Sequence, residues 1–147
     1  MKVRNILDRK GSAEVFTIAR NATLSELVQQ LSAKGVGAFL VTDDAGTLAG
    51  IVSERDVIRR LAAGGDLGQG CVADIMTRDL VSVGPDEEIH VAMDLMVLKR
   101  IRHLPVVSDG SPCGLVTVRD LIQAMREADR DEVTRFVEYL QSEAGAP

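Results

Sequence analysis

Residues 48–58 read Leu-Ala-Gly-Ile-Val-Ser-Glu-Arg-Asp-Val-Ile, and residues 112–122 read Pro-Cys-Gly-Leu-Val-Thr-Val-Arg-Asp-Leu-Ile. Glycine, Ser or Thr, arginine and aspartate recur in the two stretches at a constant spacing of 64 residues. Farther upstream, the pair Thr17-Ile18 matches Ser82-Val83 at a spacing of 65 residues. Self-similarity at a fixed spacing is typical of an internal repeat, so we predict a chain made of two related halves.

The two halves have the same predicted order of secondary structure. In the first half, a capping box at residues 23–26 opens a helix whose apolar residues recur at helical spacing. Two short apolar runs, at residues 39–42 and 48–52, then indicate buried strands, and a second helix starts near Glu54. The second half repeats this order as far as Met125. With a first strand at each of the matched pairs, each half is predicted as β-α-β-β-α.

The chain divides accordingly into a first repeat at residues 1–63, a glycine-rich linker at 64–71 and a second repeat at 72–127. A unit of about 60 residues buries too little apolar surface to be stable alone. We therefore expect the repeats to pack face to face as a pseudo-twofold pair, with clefts at the seam between them.

A further amphipathic helix and tail are predicted at residues 128–147. Four apolar residues there, Val133, Phe136, Val137 and Leu140, fall at positions i, i+3, i+4 and i+7. The sequence leaves open whether this helix packs on its own half or docks on a second subunit.

The composition favours a folded α/β protein and disfavours several classes of partner. The 147 residues are 46% hydrophobic and 27% charged, values near the globular average. Aromatic residues make up 3% and the formal net charge is −5, so extended nucleic-acid binding is not expected. The sequence has no apolar run of the roughly 18 to 20 residues needed to span a bilayer. We therefore predict a soluble, cytoplasmic protein without a membrane partner.

Cysteine and histidine are too sparse to indicate a metal site. The two cysteines, Cys71 and Cys113, lie far apart in the sequence and are expected to be small buried hydrophobic residues. His90 is expected to be solvated, and the acidic run at residues 86–88 to decorate a helix N-terminus. The sequence has no glycine-rich phosphate loop and no nucleophile and base in proximity, so we predict that the protein is not an enzyme.

These motifs, in this order, resemble a tandem pair of cystathionine-β-synthase (CBS) domains, also called a Bateman module. The matching residues are Val-Ala-Asp-Ile-Met-Thr at 72–77, Arg-His-Leu-Pro-Val-Val at 102–107, and the glycine-to-aspartate stretches at 50–56 and 114–120. The resemblance extends from about Val3 to Met125. It implies an α/β fold of α+β type, with a three-stranded sheet and two helices in each repeat.

The resemblance also implies a function. Members of the family commonly form disc-shaped homodimers and bind adenosine-containing ligands between the repeats: AMP, ADP, ATP, NAD or S-adenosylmethionine. A stand-alone pair is implied to act as a sensor of such a ligand, with no catalytic cofactor, and to regulate a protein that the sequence does not identify.

The Ser-x-x-Asp and Thr-x-x-Asp patterns at Ser53–Asp56 and Thr117–Asp120 have two interpretations. They are capping patterns, which would repeat simply because helices repeat. Alternatively, a carboxylate in the first helical turn accepts hydrogen bonds from ribose hydroxyls, while the helix N–H groups favour a phosphate. Arg55 and Arg119 are likewise either solvated or phosphate ligands.

By resemblance, each cleft combines residues of both repeats. The first cleft would contain Ser82, Val83, Arg102, His103, Leu104, Pro105, Ile51, Ser53, Arg55 and Asp56. The second cleft would contain Thr17, Ile18, Ala22, Gly37, Ala38, Phe39, Val116, Thr117, Arg119 and Asp120.

The two clefts are not expected to be equal. Residues 37–39 of the first repeat read Gly-Ala-Phe where residues 102–104 of the second read Arg-His-Leu. The second cleft therefore has fewer phosphate ligands. Pro105 further suggests that the strand after His103 is an edge strand facing a cleft.

Three functions follow as hypotheses. The first is a regulatory module in which adenine-nucleotide binding shifts a conformational equilibrium that a partner protein reads. The alternative is a dimeric scaffold that binds no ligand and acts through the C-terminal helix. A weaker third hypothesis is a nucleotide hydrolase, which detectable turnover in a metal-supplemented assay would support.

Overall fold

The computed structural model describes residues 1–10 and 16–144. Within these ranges its elements follow the predicted order, except that each repeat begins with a short helix that was not predicted and that the first strand of the second repeat is missing. The helices are α1 (Val3–Arg9), α2 (Leu24–Lys34), α3 (Glu54–Ala62), α4 (Val72–Ile75), α5 (Ile89–Lys99) and α6 (Val118–Ala144). The strands are β1 (Thr17–Ala19), β2 (Ala38–Thr42), β3 (Leu48–Ser53), β4 (His103–Ser108) and β5 (Ser111–Thr117). The predicted α/β class with a C-terminal helix is confirmed.

The repeat is visible in the strand register. Strands β2 and β3 pair antiparallel with Phe39 opposite Val52, and β4 and β5 pair antiparallel with Leu104 opposite Val116. These pairs are equivalent at the sequence spacings of 65 and 64 residues. Both hairpins also have a register shift at the equivalent place in β2 and β4. The two repeats therefore share their hairpin geometry as well as their sequence pattern.

The first strand of the second repeat departs from the prediction. In the first repeat, β1 pairs parallel with β2, and the Leu40 N–H donates to the carbonyl of Phe16 at 2.9 Å. Pro105 occupies the position equivalent to Leu40 and has no N–H to donate. The strand predicted at Ser82-Val83 is accordingly reduced to a single bridge between Val83 and Val106.

Strand β4 is also not the edge that Pro105 suggested. It pairs with β5 on one side and with Val83 on the other, where the Val83 N–H donates to the Pro105 carbonyl at 3.0 Å. Proline is tolerated here because the neighbouring strand ends before a partner for its missing donor is required.

The first helical segment of each repeat packs on the other repeat. Val3 and Ile6 of α1 are buried in the core of the second repeat, together with Leu104. Val72 of α4 is buried in the core of the first repeat, together with Phe39. Each core is thus completed by a segment from the other half of the sequence, which links the two repeats.

Helix α2 begins and ends as its sequence predicts. The Thr23 hydroxyl accepts from the Glu26 N–H at 3.1 Å, and the Glu26 carboxylate accepts from the Thr23 N–H at 3.2 Å, which completes the capping box. Gly35 ends the helix in the left-handed conformation. In α5 the equivalent position is held by Arg100, also left-handed at φ 54°.

Helix α6 unites two helices that were predicted separately. The chain from Val118 to Ala144 has no glycine or proline to interrupt it, so the second helix of the second repeat continues into the C-terminal segment. The apolar residues of that segment are 44% to 63% exposed: Val133, Phe136, Val137, Tyr139 and Leu140. Packing of this segment on its own half is therefore not observed.

The remaining sequence predictions have simple outcomes. Cys71 and Cys113 are free and partly rather than fully buried, and His90 is exposed. The acidic run pairs with the N-terminus, where Arg4 bonds to Asp86 and the terminal amine lies 3.6 Å from Glu88. Within residues 1–10 and 16–144, no helix is long and apolar enough to cross a membrane.

Candidate functional site

A cavity of about 530 Å³ lies at the seam between the repeats. This volume is within the range of about 300 to 1,000 Å³ that is typical of small-molecule sites. It is lined by Gly37, Ile51, Ser53, Glu54, Arg55, Asp56, Ile58, Arg59, Thr77, Arg100, Ile101, Arg102 and His103. The cavity brings together six of the residues predicted for the first cleft, four from the first repeat and two from the second.

The other four residues predicted for the first cleft do not line this cavity. Leu104, Pro105 and Val83 are buried, and Leu104 and Val83 belong to the core of the second repeat. Ser82 is exposed. Alternation of side chains along β4 turns His103 toward the seam and Leu104 into the core, which the sequence pattern did not separate.

Asp56 caps helix α3 from inside the cavity. Its Oδ2 atom accepts from the Ser53 N–H at 2.8 Å and from the Ser53 hydroxyl at 3.2 Å. The Oδ1 atom lies 3.9 Å from a guanidinium nitrogen of Arg59, whose side chain is largely exposed. The capping interpretation therefore fits the observed bonds, and the same carboxylate also borders the cavity.

The cavity is electropositive although the chain is acidic. Four arginines line it, Arg55, Arg59, Arg100 and Arg102, against the two carboxylates of Glu54 and Asp56. The whole chain has a net charge of −5. Guanidinium groups bind phosphate through paired, charge-assisted hydrogen bonds. The site is therefore suited to a ligand that carries phosphate.

Arg100, which lines the cavity, has a left-handed backbone conformation. A non-glycine residue in the left-handed region is uncommon and costs about 1 to 3 kcal/mol. Gly35 holds the equivalent position at the end of α2 without that cost. Strain at Arg100, beside the cavity, is the kind that proteins retain at functional sites.

His103 of the second repeat lies close to Gly37 and Glu54 of the first. A Cβ atom on Gly37 would be 3.4 Å from Nε2 of His103 and 2.8 Å from Oε1 of Glu54. Gly37, predicted for the second cleft, therefore lines the first, and its lack of a side chain permits this close approach.

Burial is the main cause that lowers the pKa of His103 below its ordinary value. The positive charges of Arg102 and Lys10 act in the same direction. The negative charges of Glu54 and Asp120 oppose them. The imidazole is therefore neutral at pH 7, and an arriving anion would favour its protonation.

The residues predicted for the second cleft are not gathered in one cavity. Thr117 and Arg119 line a cavity of about 600 Å³ with Arg102, His103, Val118 and Ile122. The side chains of Ala38, Phe39 and Val116 are buried, Phe39 and Val116 in the cores of their repeats. Thr17 is exposed, while Ile18 and Ala22 pack against the core of the first repeat. The second cleft is thus not assembled as predicted.

Asp120 faces away from that cavity and toward helix α1. Its Oδ2 atom accepts from the Lys10 ammonium at 2.8 Å and from the Thr117 N–H at 2.9 Å. Partial burial raises the pKa of this carboxyl, but the hydrogen bonds from Lys10 and Thr117 and the Lys10 charge lower it by more. The pKa of Asp120 therefore lies below its ordinary value.

Sequence reasoning missed several residues that border these sites. Thr77, which lines the first cavity, exchanges backbone hydrogen bonds with Ile51 at 2.8 and 3.0 Å. Glu54, Ile58, Arg59, Arg100 and Ile101 also line the first cavity. Lys10 was missed as well. The similarity of residues 3–7, Val-Arg-Asn-Ile-Leu, to residues 72–76, Val-Ala-Asp-Ile-Met, could have revealed that α1 and α4 are equivalent.

Comparison with known proteins identifies relatives of the same architecture. The CBS domain family model matches residues 3–63 and 72–127. The mitochondrial CBS domain-containing protein CBSX3 of Arabidopsis thaliana is 35% identical over 124 residues, 81% of this chain. The chain spans 60% of the length of that relative.

Solved structures of CBS-domain proteins superpose closely. A CBS-domain-containing protein of Agrobacterium tumefaciens gives a TM-score of 0.79 at 31% identity, covering 85% of this chain and 99% of the other. A CBS domain protein of Pyrobaculum aerophilum, solved with AMP, gives 0.74 at 27% identity, covering 82% and 89%. The CBS domain pair of protein MJ0100, solved with 5′-methylthioadenosine and S-adenosyl-L-methionine, gives 0.77 at 25% identity, covering 87% and 98%.

The family match covers most of the chain in two segments, and the superposition on the Agrobacterium protein covers 85% of the chain. The chain therefore belongs to the CBS domain family and carries a tandem pair of CBS domains.

Proposed function

We propose that this protein is a regulatory module that binds an adenine nucleotide in the first cleft and transmits its occupancy without catalysis. The observation that carries the proposal is the cavity of about 530 Å³, in which Asp56, four arginines and His103 meet. It is supported by the related structures that hold AMP or S-adenosyl-L-methionine. CBS domains are regulatory rather than catalytic modules, which agrees with this function.

Different residues of the cavity would bind the ribose, the phosphate and the base. Oδ1 of Asp56 would accept hydrogen bonds from the ribose hydroxyls, because Oδ2 is already engaged by Ser53. Arg102 and Arg55 would bind phosphate from opposite repeats. Isoleucines at positions 51, 58 and 101 supply apolar surface for the base.

A ligand held in this way contacts both repeats. Its affinity then differs between any two arrangements of the repeats, and that difference shifts their populations. A partner protein that distinguishes the arrangements would read the signal. The regulatory role thus follows from the position of the cleft at the seam.

The charge of the cleft favours a phosphorylated ligand. AMP, ADP, ATP and NAD all bring negative charge to the arginines, whereas S-adenosylmethionine carries a cationic sulfonium that they repel. We therefore expect a nucleotide with one or more phosphates rather than S-adenosylmethionine.

Calorimetric titration of AMP, ADP, ATP, NAD and S-adenosylmethionine tests the proposal. We expect micromolar binding of at least one nucleotide to the wild type. Asp56→Asn should weaken it at least about 100-fold, since two charge-assisted hydrogen bonds of about 1.5 to 3 kcal/mol each are lost. The matched control, Asp120→Asn, should change the affinity less than about twofold. No binding across the panel by a folded wild type would refute the proposal.

We also propose that the protein is a homodimer. Ile58 and Leu61 on α3 are exposed, and so are Ile122 and Met125, their equivalents on α6 at a spacing of 64 residues. A face that occurs twice in each chain suits a symmetric interface with a second copy. Sedimentation should detect a wild-type dimer that dissociates in the double variant Ile58→Asp/Ile122→Asp. Thr134→Asp, on a polar part of α6, is the control that should remain dimeric.

A dimeric scaffold that binds no ligand is a second candidate function. It is favoured by the exposed apolar residues in the C-terminal part of α6, from Val133 to Leu140. An isolated helical segment is marginal in water, so a second copy of this segment would stabilise it. Phe136 is at the centre of the exposed stripe. A scaffold predicts that Phe136→Ala weakens self-association and that no nucleotide in the panel binds. Nucleotide binding that Phe136→Ala leaves unchanged would favour the sensor instead.

A further inference from the structure

Lys10 joins the end of helix α1 to the ribose-binding motif of the second repeat. Its ammonium donates to Oδ2 of Asp120 at 2.8 Å and to the carbonyl of Leu115 at 3.1 Å. Asp120 and Leu115 are the equivalents of Asp56 and Ile51, which line the first cleft. The lysine therefore contacts the carboxylate whose equivalent borders the first cleft, together with a backbone carbonyl whose equivalent, that of Ile51, accepts from the Thr77 N–H at 2.8 Å.

This contact is built into the fold rather than made by a loose side chain. Helix α1 is held by the Val3 and Arg4 N–H groups, which donate to the carbonyls of Glu87 at 2.9 Å and Pro85 at 2.8 Å. Val3 and Ile6 are buried in the core of the second repeat. Arg9 pairs with Glu127 of α6. Lys10 is thus delivered to Asp120 by a docked helix.

The space around the two aspartates differs accordingly. The cavity beside Asp120 measures about 110 Å³ and is lined by Ile6, Arg9, Lys10, Gln123, Ala124 and Glu127. The cavity beside Asp56 measures about 530 Å³. Of these two cavities, only the one beside Asp56 is large enough for a nucleoside, since small-molecule sites occupy about 300 Å³ or more. The cavity of about 600 Å³ that Thr117 and Arg119 line does not include Asp120.

The segment that packs on the first repeat, which begins with α4, has no counterpart of this lysine. Position 79 is equivalent to position 10 when residues 72–76 are aligned with residues 3–7, and it holds an aspartate. The arginine before it, Arg78, donates to the carbonyl of Ala73 instead of reaching Asp56. Among the residues that the structure describes, Asp56 therefore borders its cavity without a lysine ammonium on its carboxylate.

We propose that Lys10 is an internal occupant of the second cleft, where its ammonium takes the place of the ribose hydroxyls on Asp120. The chain then binds one nucleotide, in the first cleft. The stoichiometry is one because Lys10, at the end of α1, occupies the other cleft. The proposal rests on the proposed nucleotide-binding function and adds how the second cleft is closed.

Calorimetric stoichiometry with AMP tests the proposal on the full chain. We expect one AMP per chain for the wild type and two for Lys10→Ala, which removes both the charge and the side chain that fills the space beside Asp120. Lys10→Ala/Asp120→Asn should return to one. Arg4→Ala removes a long cationic side chain from the same helix, at an exposed pair with Asp86, and should stay at one. Lys10→Ser replaces Lys10→Ala if the latter does not fold.

Two sites in the wild type, or one site in both folded Lys10 variants, would overturn the inference. Failure of the proposed function gives a different result. If the wild type binds no AMP but Lys10→Ala binds one that Asp120→Asn removes, Lys10 closes the second cleft and the first-cleft proposal is wrong. If no variant binds AMP, both proposals are wrong.

Discussion

The two aspartates at the starts of α3 and α6 have the same local structure and different surroundings. Both accept the N–H of the Ser or Thr three residues earlier, Asp56 at 2.8 Å and Asp120 at 2.9 Å. Asp56 borders a cavity of about 530 Å³, whereas Asp120 is paired with Lys10 beside one of about 110 Å³. A repeated motif thus fixes the cap, and the segment packed against it decides whether a ligand can reach it.

The two clefts also differ in the residues that the strands β2 and β4 contribute to them. The second repeat contributes Arg102 and His103 to the seam, whereas at the equivalent positions of the first repeat Gly37 lines the cavity and Ala38 is buried. Charge is therefore concentrated on the first cleft from both directions. The positive charge that we propose binds an anion therefore belongs to one site of two, although the hairpins of the repeats have the same register.

The largest expected effect is on stability, at the two glycines that contact the α1 and α4 segments. A Cβ on Gly50 would lie 2.7 Å from the backbone carbonyl of Thr77, whereas one on Gly114 would lie 2.6 Å from a methyl of Leu7. A leucine side chain can rotate away and a paired carbonyl cannot. Gly50→Ala should therefore cost about 2 to 3 kcal/mol of unfolding free energy, and Gly114→Ala less than about 1 kcal/mol.

Urea denaturation of both glycine variants measures this difference. Equal losses of unfolding free energy would mean that the contact of Gly50 with Thr77 is as adaptable as the contact of Gly114 with Leu7. That result would contradict the constraint expected from the backbone pairing of Ile51 with Thr77.

The next effect separates the phosphate ligands of the two clefts. Removing one charged hydrogen bond costs about 1.5 to 3 kcal/mol, so Arg102→Ala should weaken AMP binding by about 10-fold or more. Arg119→Ala should change it by less than about twofold. Adenosine, which lacks the phosphate, should bind both variants as it binds the wild type. An equal loss of adenosine affinity in Arg102→Ala would show that the arginine shapes the cleft instead.

A smaller effect concerns the acid stability of the pair of Lys10 and Asp120. Because the pKa of Asp120 is lowered in the folded chain, the pair stabilises the fold above the ordinary pKa of about 4 and ceases to do so as pH falls through the folded value. The pair is partly open to solvent, so this contribution is below about 1 kcal/mol.

Thermal unfolding between pH 5 and pH 2.5 checks this contribution. Asp120→Asn should lose less stability than the wild type over this interval, and an unchanged pH dependence would argue against the pair.

The smallest effect is a proton exchange at His103. Its lowered pKa leaves the imidazole neutral at pH 7, and a bound phosphate would raise that pKa, so binding should take up a fraction of a proton at pH values between the pKa of the free and that of the bound imidazole. Affinity should therefore increase as pH falls through this range. Calorimetry in buffers of different ionisation enthalpy measures the uptake. His103→Gln should take up fewer protons than the wild type, and equal uptake would place His103 outside the binding site.

Much of this architecture was accessible from the sequence because its determinants are local. The Thr23 capping box, the hairpin turns and the Ser-x-x-Asp caps each depend on a few neighbouring residues. The failed predictions concern residues whose role depends on distant segments. Ser82-Val83 forms one bridge instead of a strand because Pro105, far along the chain, cannot donate to it.

The first cleft was predicted more completely than the second for the same reason. Its determinants, from Ile51 to Asp56 and from Arg102 to His103, lie in two short motifs that the hairpins bring together. The predicted second cleft required Phe39 and Val116 to face a ligand, but strand alternation turns both into cores.

The sequence by itself determined the duplication, the elements of each repeat, the family and the acidic caps, because periodicity and short motifs record local backbone preferences. Only the tertiary structure decided that α1 packs on the second repeat and brings Lys10 to Asp120, while Asp56 borders a cavity of about 530 Å³. The physical reason is that a cleft is the space left between segments distant in sequence. Its volume and charge depend on which side chains the packing of those segments brings into it.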